Sequence, residues 1–156
     1  MSGMSREIML NEIRYAERLC QRTARLYRRI QSGGTFLAVL GGSGALSALS
    51  PIVSPWVAVV GAAALATAGA ALVAIRPADK AAANEADAKR YGALRVKAAT
   101  LDDACLRTAL DEARTSDTAE IESLRDVAYN DVVLEVGQPT YKVPLAAHQR
   151  ILAALA

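Results

Sequence analysis

Few residues in this chain have a type and spacing that could do chemistry. The single histidine, His148, sits near the C-terminus without clustered ligands, and reads as a surface residue. Cys20 and Cys105 are far apart, with neither a CxxC pair nor a neighbouring histidine, so no zinc site or disulfide framework is suggested and reduced thiols are expected. Asp102 with Asp103, and Asp111 with Glu112, are carboxylate pairs of the kind used in acid–base catalysis, but both fall in a solvated helical pattern. Gly41, Gly42 and Gly44 have the density of a phosphate loop without its flanking strand or lysine, and close helix packing explains them better. The reading is a protein that is not an enzyme, with no catalytic residues, metal or cofactor.

The remaining polar candidates lie inside apolar sequence. Thr35, Ser43 and Ser47 fall near one side of a first apolar helix and Thr67 lies in a second. Assembled hairpins would let them line a water-filled path; alternatively their hydroxyls bond back to carbonyls of their own helices. No Asp, Glu, Lys or Arg accompanies them, which argues against a proton-coupled transporter or a voltage sensor.

The elements that would position these residues follow from charge and periodicity. Net charge is +2, too small to argue for nucleic acid, but seven Arg and three Glu precede residue 31. From Arg6 to Ile30, Ile8, Met9, Ile13, Leu19, Cys20 and Leu26 recur at steps of three and four among arginines, as in an amphipathic helix. Its Arg22, Arg25, Arg28 and Arg29 either face anionic headgroups or pair with acidic helices further on. No signal peptide is expected, because these charged residues precede any apolar run.

Between Arg29 and Arg76 no charge occurs over about 46 residues, enough for two membrane passes. The expectation is an all-α chain with a two-helix transmembrane hairpin. Its spans are 33–50 and 56–75, the turn is Pro51 to Pro55, and Trp56 is an interfacial aromatic. Three segments result: a basic amphipathic helix (1–31), the hairpin (32–76) and a cytosolic helical region (77–156). The turn has no basic residue while Arg25, Arg28, Arg29, Arg76 and Lys80 flank the spans, so both termini should face the cytoplasm. Small residues at every fourth place, Gly34, Ala38 and Gly42 in the first span and Ala58, Ala62, Ala66 and Ala70 in the second, suit close packing within the hairpin or between subunits.

Beyond Pro77, the stripe Tyr91, Leu94, Ala98, Leu101 and Cys105 predicts one long helix from about Ala78 to Ala113, in preference to a new helix capped at Thr100 with Asp103. A break is expected near Thr115 to Asp117, then a helix opened by Asp117 with Glu120 and ending near Gly137, and a short apolar helix from Leu145 to Leu155.

This order of elements, with the Tyr129-Asn130-Asp131-Val132-Val133 stretch late in the chain, resembles the SLATT family, the two-transmembrane effector domain associated with SMODS and SLOG proteins. The resemblance covers nearly the whole chain. It implies an effector of bacterial or phage conflict systems that assembles and compromises the inner membrane, with lipids, further copies of itself and a sensor or nucleotide-signalling protein as partners. Two other readings stay open: a membrane scaffold recruiting partners through the face around Tyr91 to Leu101, and a holin-like lysis protein. Insertion into the membrane is either constitutive or conditional on a trigger.

Overall fold

The structure is a computed structural model and describes residues 5–46 and 54–156. Ser47, and the expected turn from Pro51 up to Val53, lie outside the described residues. The described chain is all-helical, with α1 (Arg6–Leu46), α2 (Pro55–Ile75), α3 (Pro77–Lys97), α4 (Asp103–Thr115), α5 (Arg125–Glu135) and α6 (Ala147–Leu155); short 3₁₀ turns form at Glu122–Leu124 and Pro139–Tyr141. It divides into two compact units, one of Met1–Leu26 with Lys80–Ala156 and the other of Tyr27–Asp79. The basic N-terminal segment therefore folds with the C-terminal helices, and the division falls after Leu26 and Asp79.

Helix α1 runs through Gly33 and Gly34 without a break, joining the expected amphipathic helix and first span into one element. Helix α2 begins with Pro55 at its first turn, where the missing N–H costs nothing, and ends at Ile75. Arg76 follows in the left-handed region (φ 51°, ψ 53°), its N–H donating to the Leu72 carbonyl at 3.1 Å.

In the larger unit, Met9, Ile13 and Cys20 of α1 pack with Tyr91 and Leu94 of α3, with Ala98 just beyond its end, and with Leu106 and Leu110 of α4. Leu19 and Leu26 join Leu124, Val127, Ala128 and Ala156 in a second cluster. Each large side chain buried this way contributes about 1.5–3 kcal/mol. The scaffold reading needed the face around Tyr91 to Leu101 to be free; Tyr91, Leu94 and Ala98 are buried in this core, so that face is already occupied.

The expected helix from Ala78 to Ala113 is two helices. Asp102 caps α4 by accepting from the Cys105 N–H at 2.7 Å, and Arg6 ties the break down by donating to the carbonyls of Ala98 and Leu101 and to Asp103. An apolar stripe crosses the break because both helices rest on one core. Asp117 does not cap the next helix: its carboxylate accepts from Arg90 at 2.8 Å and from the Tyr91 hydroxyl at 2.5 Å, and helical structure resumes only at Glu122. Beyond α5, Gly137 turns the chain at φ 74°. The buried Asn130 then exchanges two 2.9 Å bonds with the Val143 backbone, holding the segment that leads to α6.

In the smaller unit α1 and α2 approach backbone to backbone. A Cβ on Gly61 would come within 2.6 Å of the Ala45 nitrogen and 2.7 Å of the Gly41 carbonyl oxygen, and one on Gly41 within 2.5 Å of the Leu65 nitrogen. Gly44 sits against the Gly61 Cα, and Gly34 against the Leu72 side chain, so the helices run antiparallel. Gly42 is not part of this contact, since nothing lies within 4 Å of where its Cβ would be. Helical geometry gives the reason: steps of four rotate about 40° each, carrying Gly42 about 80° away from Gly34, whereas a step of seven returns Gly41 to within about 20°. Replacing Gly61 with Leu should cost about 1–3 kcal/mol of helix-pair stability, read as a lower far-UV dichroism melting point in detergent, while Gly42→Leu changes it by less than about 0.5 kcal/mol. Equal losses at both positions would show that the pair is not held at these glycines.

Candidate functional site

Two surfaces compete for the functional role, one in each unit. In the smaller unit the candidate is the apolar exterior of the paired helices. Among the described residues one helical stretch, opening at Pro55, is long and apolar enough to cross a membrane; its best window has a mean hydropathy of 2.2 and is 11% buried. The first apolar run is described only as far as Leu46, about 21 Å of helix from Gly33 at 1.5 Å per residue. Phe36, Val39 and Leu40 of α1 and Trp56, Val60 and Val73 of α2 all stand exposed, Val73 at 77% and Trp56 at 74%.

The residues expected to do work here are distributed unevenly. Gly34 meets α2, and Ala38 and Ala58 are half-buried, whereas Ala62, Ala66 and Ala70 point outward. The face of α2 that meets α1 is instead Gly61, Leu65, Ala68 and Leu72, with Gly61 and Ala68 its buried members. Of the hydroxyls, Ser43 donates back to the Val39 carbonyl at 3.0 Å, which satisfies it within its own helix. Thr35 is exposed and accepts from Gln31. Thr67 lines an open apolar groove of about 620 Å³ with Ile30, Gly34, Leu37, Ala68 and Leu72.

In the larger unit the candidate is the arginine face of α1. Arg22 does not face headgroups: it forms a bidentate pair with Asp131 (2.8 and 3.0 Å) and donates to the Ala153 carbonyl at 3.1 Å, in the last turn of α6. A planar guanidinium suits this double role, gripping a carboxylate with one edge and a free helix-end carbonyl with another. Arg18 meets Glu135 at 2.7 Å, Arg95 reaches Glu17 at 3.3 Å, and Arg114 meets Glu12 at 2.5 Å. Arg18, Gln21, Arg22 and Arg25 of α1 and Asp131, Leu134 and Glu135 of α5 border a cleft of about 400 Å³. Arg25, Arg28 and Arg29 are exposed.

These pairs move acid–base equilibria in predictable directions. The hydrogen bond from Arg18, assisted by the nearby charge, holds Glu135 below its ordinary 4.5. Burial, with the charges of Asp117 and Asp87 adding to it, pushes the Cys20 thiol up to about 12, so it stays protonated and is no nucleophile. Asp87, Arg90 and Asp117 form a second ion cluster, with Asp87 accepting the Thr118 N–H at 2.9 Å. The carboxylate pairs have structural partners: Asp102 caps α4, Asp103 holds Arg6, and Asp111 lies 3.6 Å from Arg114. His148 is exposed, and among the described residues no group of three or more His, Cys, Asp or Glu stands where it could hold a metal.

Close helix packing was expected of Gly41 and Gly44, and both make it; sequence reasoning missed Gly61 on the facing helix, and missed Asp131 and Glu135 as the partners of Arg22 and Arg18. The seven-residue spacing of Gly34 and Gly41 was the signal that separates them from Gly42. No family model matches the chain, and no match is found among curated proteins or solved structures.

Two outcomes test the arginine face. A double-mutant cycle on Arg22→Ala and Asp131→Ala should give a coupling of about 1–2 kcal/mol in unfolding experiments, since the pair is bidentate and three-quarters buried; additive effects would mean that the pair contributes nothing. Because Glu135 is depressed in the folded chain, its contribution is complete above its ordinary 4.5 and is lost as pH falls through the lower folded value. Glu135→Gln should therefore lower stability at pH 7 and shrink the loss on acidification below about 4.5; a variant whose acid-unfolding curve matches the parent's in shape would rule this linkage out.

Proposed function

We propose that this chain is a two-span membrane effector of a bacterial or phage conflict system, which oligomerises in the inner membrane and forms a pore, or otherwise disrupts the bilayer, when a partner or nucleotide signal triggers it. In this reading 33–50 and 56–75 are the spans and both termini are cytoplasmic. The observation that carries it is the exterior of α2: a helix apolar on every side, with 11% of its best window buried, must be covered by lipid or by other apolar helices. Leaving one large side chain such as Val73 or Trp56 in water costs about 1.5–3 kcal/mol, and several are exposed together. The charge-free stretch and flanking arginines supply the topology, and the resemblance to the SLATT family supplies the biology.

The division of labour follows from the chemistry of each unit. The outward alanines Ala62, Ala66 and Ala70, with Thr35 and Thr67, are available for contacts between copies, because it is Gly34, Gly41, Gly44 and Gly61 that pair α1 with α2. The ion-paired larger unit is where a signal acts. A scaffold would need a recruiting surface other than the one around Tyr91 to Leu101, and a holin-like protein has little use for so large a packed region.

The deciding measurement is membrane potential, followed with a voltage-sensitive dye in bacterial cells expressing the chain alone and then with its neighbouring genes under their natural trigger. Depolarisation and growth arrest are expected with the trigger, and Ala66→Leu should diminish both while insertion persists. Sustained potential and normal growth in every case would eliminate the effector reading and leave the scaffold.

A further inference from the structure

The helical run from Pro55 to Lys97 is interrupted at a single residue, Arg76. Among the described residues it is the one non-glycine with positive φ (51°). That region crowds any side chain bearing a Cβ against its own backbone, so another force must hold it there. The following proline accounts for half of the choice. Pro77 disfavours the right-handed helical conformation in the residue before it, and inside a fused helix it would lack an N–H and strike the carbonyl four residues back. Arg76 is left with two basins, the left-handed one it occupies and the extended one that residues before proline prefer.

Two contacts hold the left-handed basin. The Arg76 N–H donates to the Leu72 carbonyl at 3.1 Å, closing the end of α2. Its guanidinium grips Asp79 one turn into α3, at 2.8 Å from Nε and 2.6 Å from the terminal nitrogen. Both side chains of this pair are mostly exposed, at 73% and 63%, so the pair is weak and is screened by salt, while Pro77 beside it is buried. A sterically disfavoured backbone is balanced against a weak contact in water.

We propose that Arg76 and Pro77 form a two-state elbow at the end of the apolar helix: latched when Arg76 is left-handed and paired with Asp79, released when it turns extended and the N–H leaves Leu72. The elbow is a device of the backbone and does not depend on the effector reading. Salt, and loss of the charge at residue 79, favour release. A glycine at 76 has no pair with Asp79 to lose and favours the left-handed backbone with its N–H on Leu72, because glycine enters that region without the Cβ clash.

The test is hydrogen exchange of the residue-76 amide in the full-length chain in detergent micelles, expressed as a protection factor. Raising salt from about 0.05 M to about 0.5 M should lower wild-type protection about threefold, and Asp79→Ala should do the same at low salt and abolish the further effect of salt. Arg76→Gly should raise protection about tenfold, with little response to salt. Protection in the wild type that is indifferent to both salt and Asp79→Ala overturns the latch. So does a glycine variant exchanging as fast as the parent, and the wild-type salt comparison reads the elbow even where a variant fails to fold.

Discussion

A guanidinium keeps its charge at every pH a protein meets, so a helix studded with arginines packs only where acceptors wait for it. The first half of α1 lives under that constraint. Arg6 finds the open carbonyls between α3 and α4, Arg18 finds Glu135, and Arg22 finds Asp131 and the end of α6. These contacts are directional as well as electrostatic, so they dictate which helix end meets which turn of α1. The apolar clusters supply most of the stabilisation, and the arginines select among the ways those clusters can be closed.

The second half of the same helix faces the opposite demand. Beyond Arg29 it has no charge to satisfy and gains little by discriminating among apolar neighbours, so its pairing with α2 rests on how closely two backbones can approach. The smaller unit is thereby specified by shape and the larger one by polar geometry. A single continuous helix takes part in both regimes.

What the sequence made legible divides along this line. The limits of α2 were readable, because Pro55 and the first charge after Ile75 bound it from both sides. The turn at Gly137 and the terminal helix were also within reach. The unbroken course of α1 was not, since two glycines and a change of composition look like a boundary until Leu72 is seen packing over Gly34. The break at Asp102 was hidden by an apolar stripe that is identical for one helix or for two resting on a common core. Asp117 had the local signature of a cap, and lost that role to Arg90 and Tyr91, which lie more than twenty residues away in sequence. Partnerships such as Arg22 with Asp131 depend on tertiary closure, which no window of sequence contains. The candidate site was legible as a charge-free region and, on the first helix, at Gly34, Gly41 and Gly44; on α2 its contact residues were not, because a ridge read at every fourth position drifts around the helix.

The Gly61 contact has a consequence for descent. Where a backbone oxygen and a backbone nitrogen both lie within 2.7 Å of an absent Cβ, no side chain can be accommodated by a neighbour's adjustment, because the obstructing atoms are main chain. Exposed side chains such as Val59 and Val73 are free to exchange among apolar residues over evolutionary time, and the exposed ion pairs can be traded for others. Position 61 cannot drift, nor can position 41 facing it. The heritable mark of this architecture is a pair of missing side chains, one on each helix, and a lineage could replace most of its remaining residues while still being bound to keep them missing.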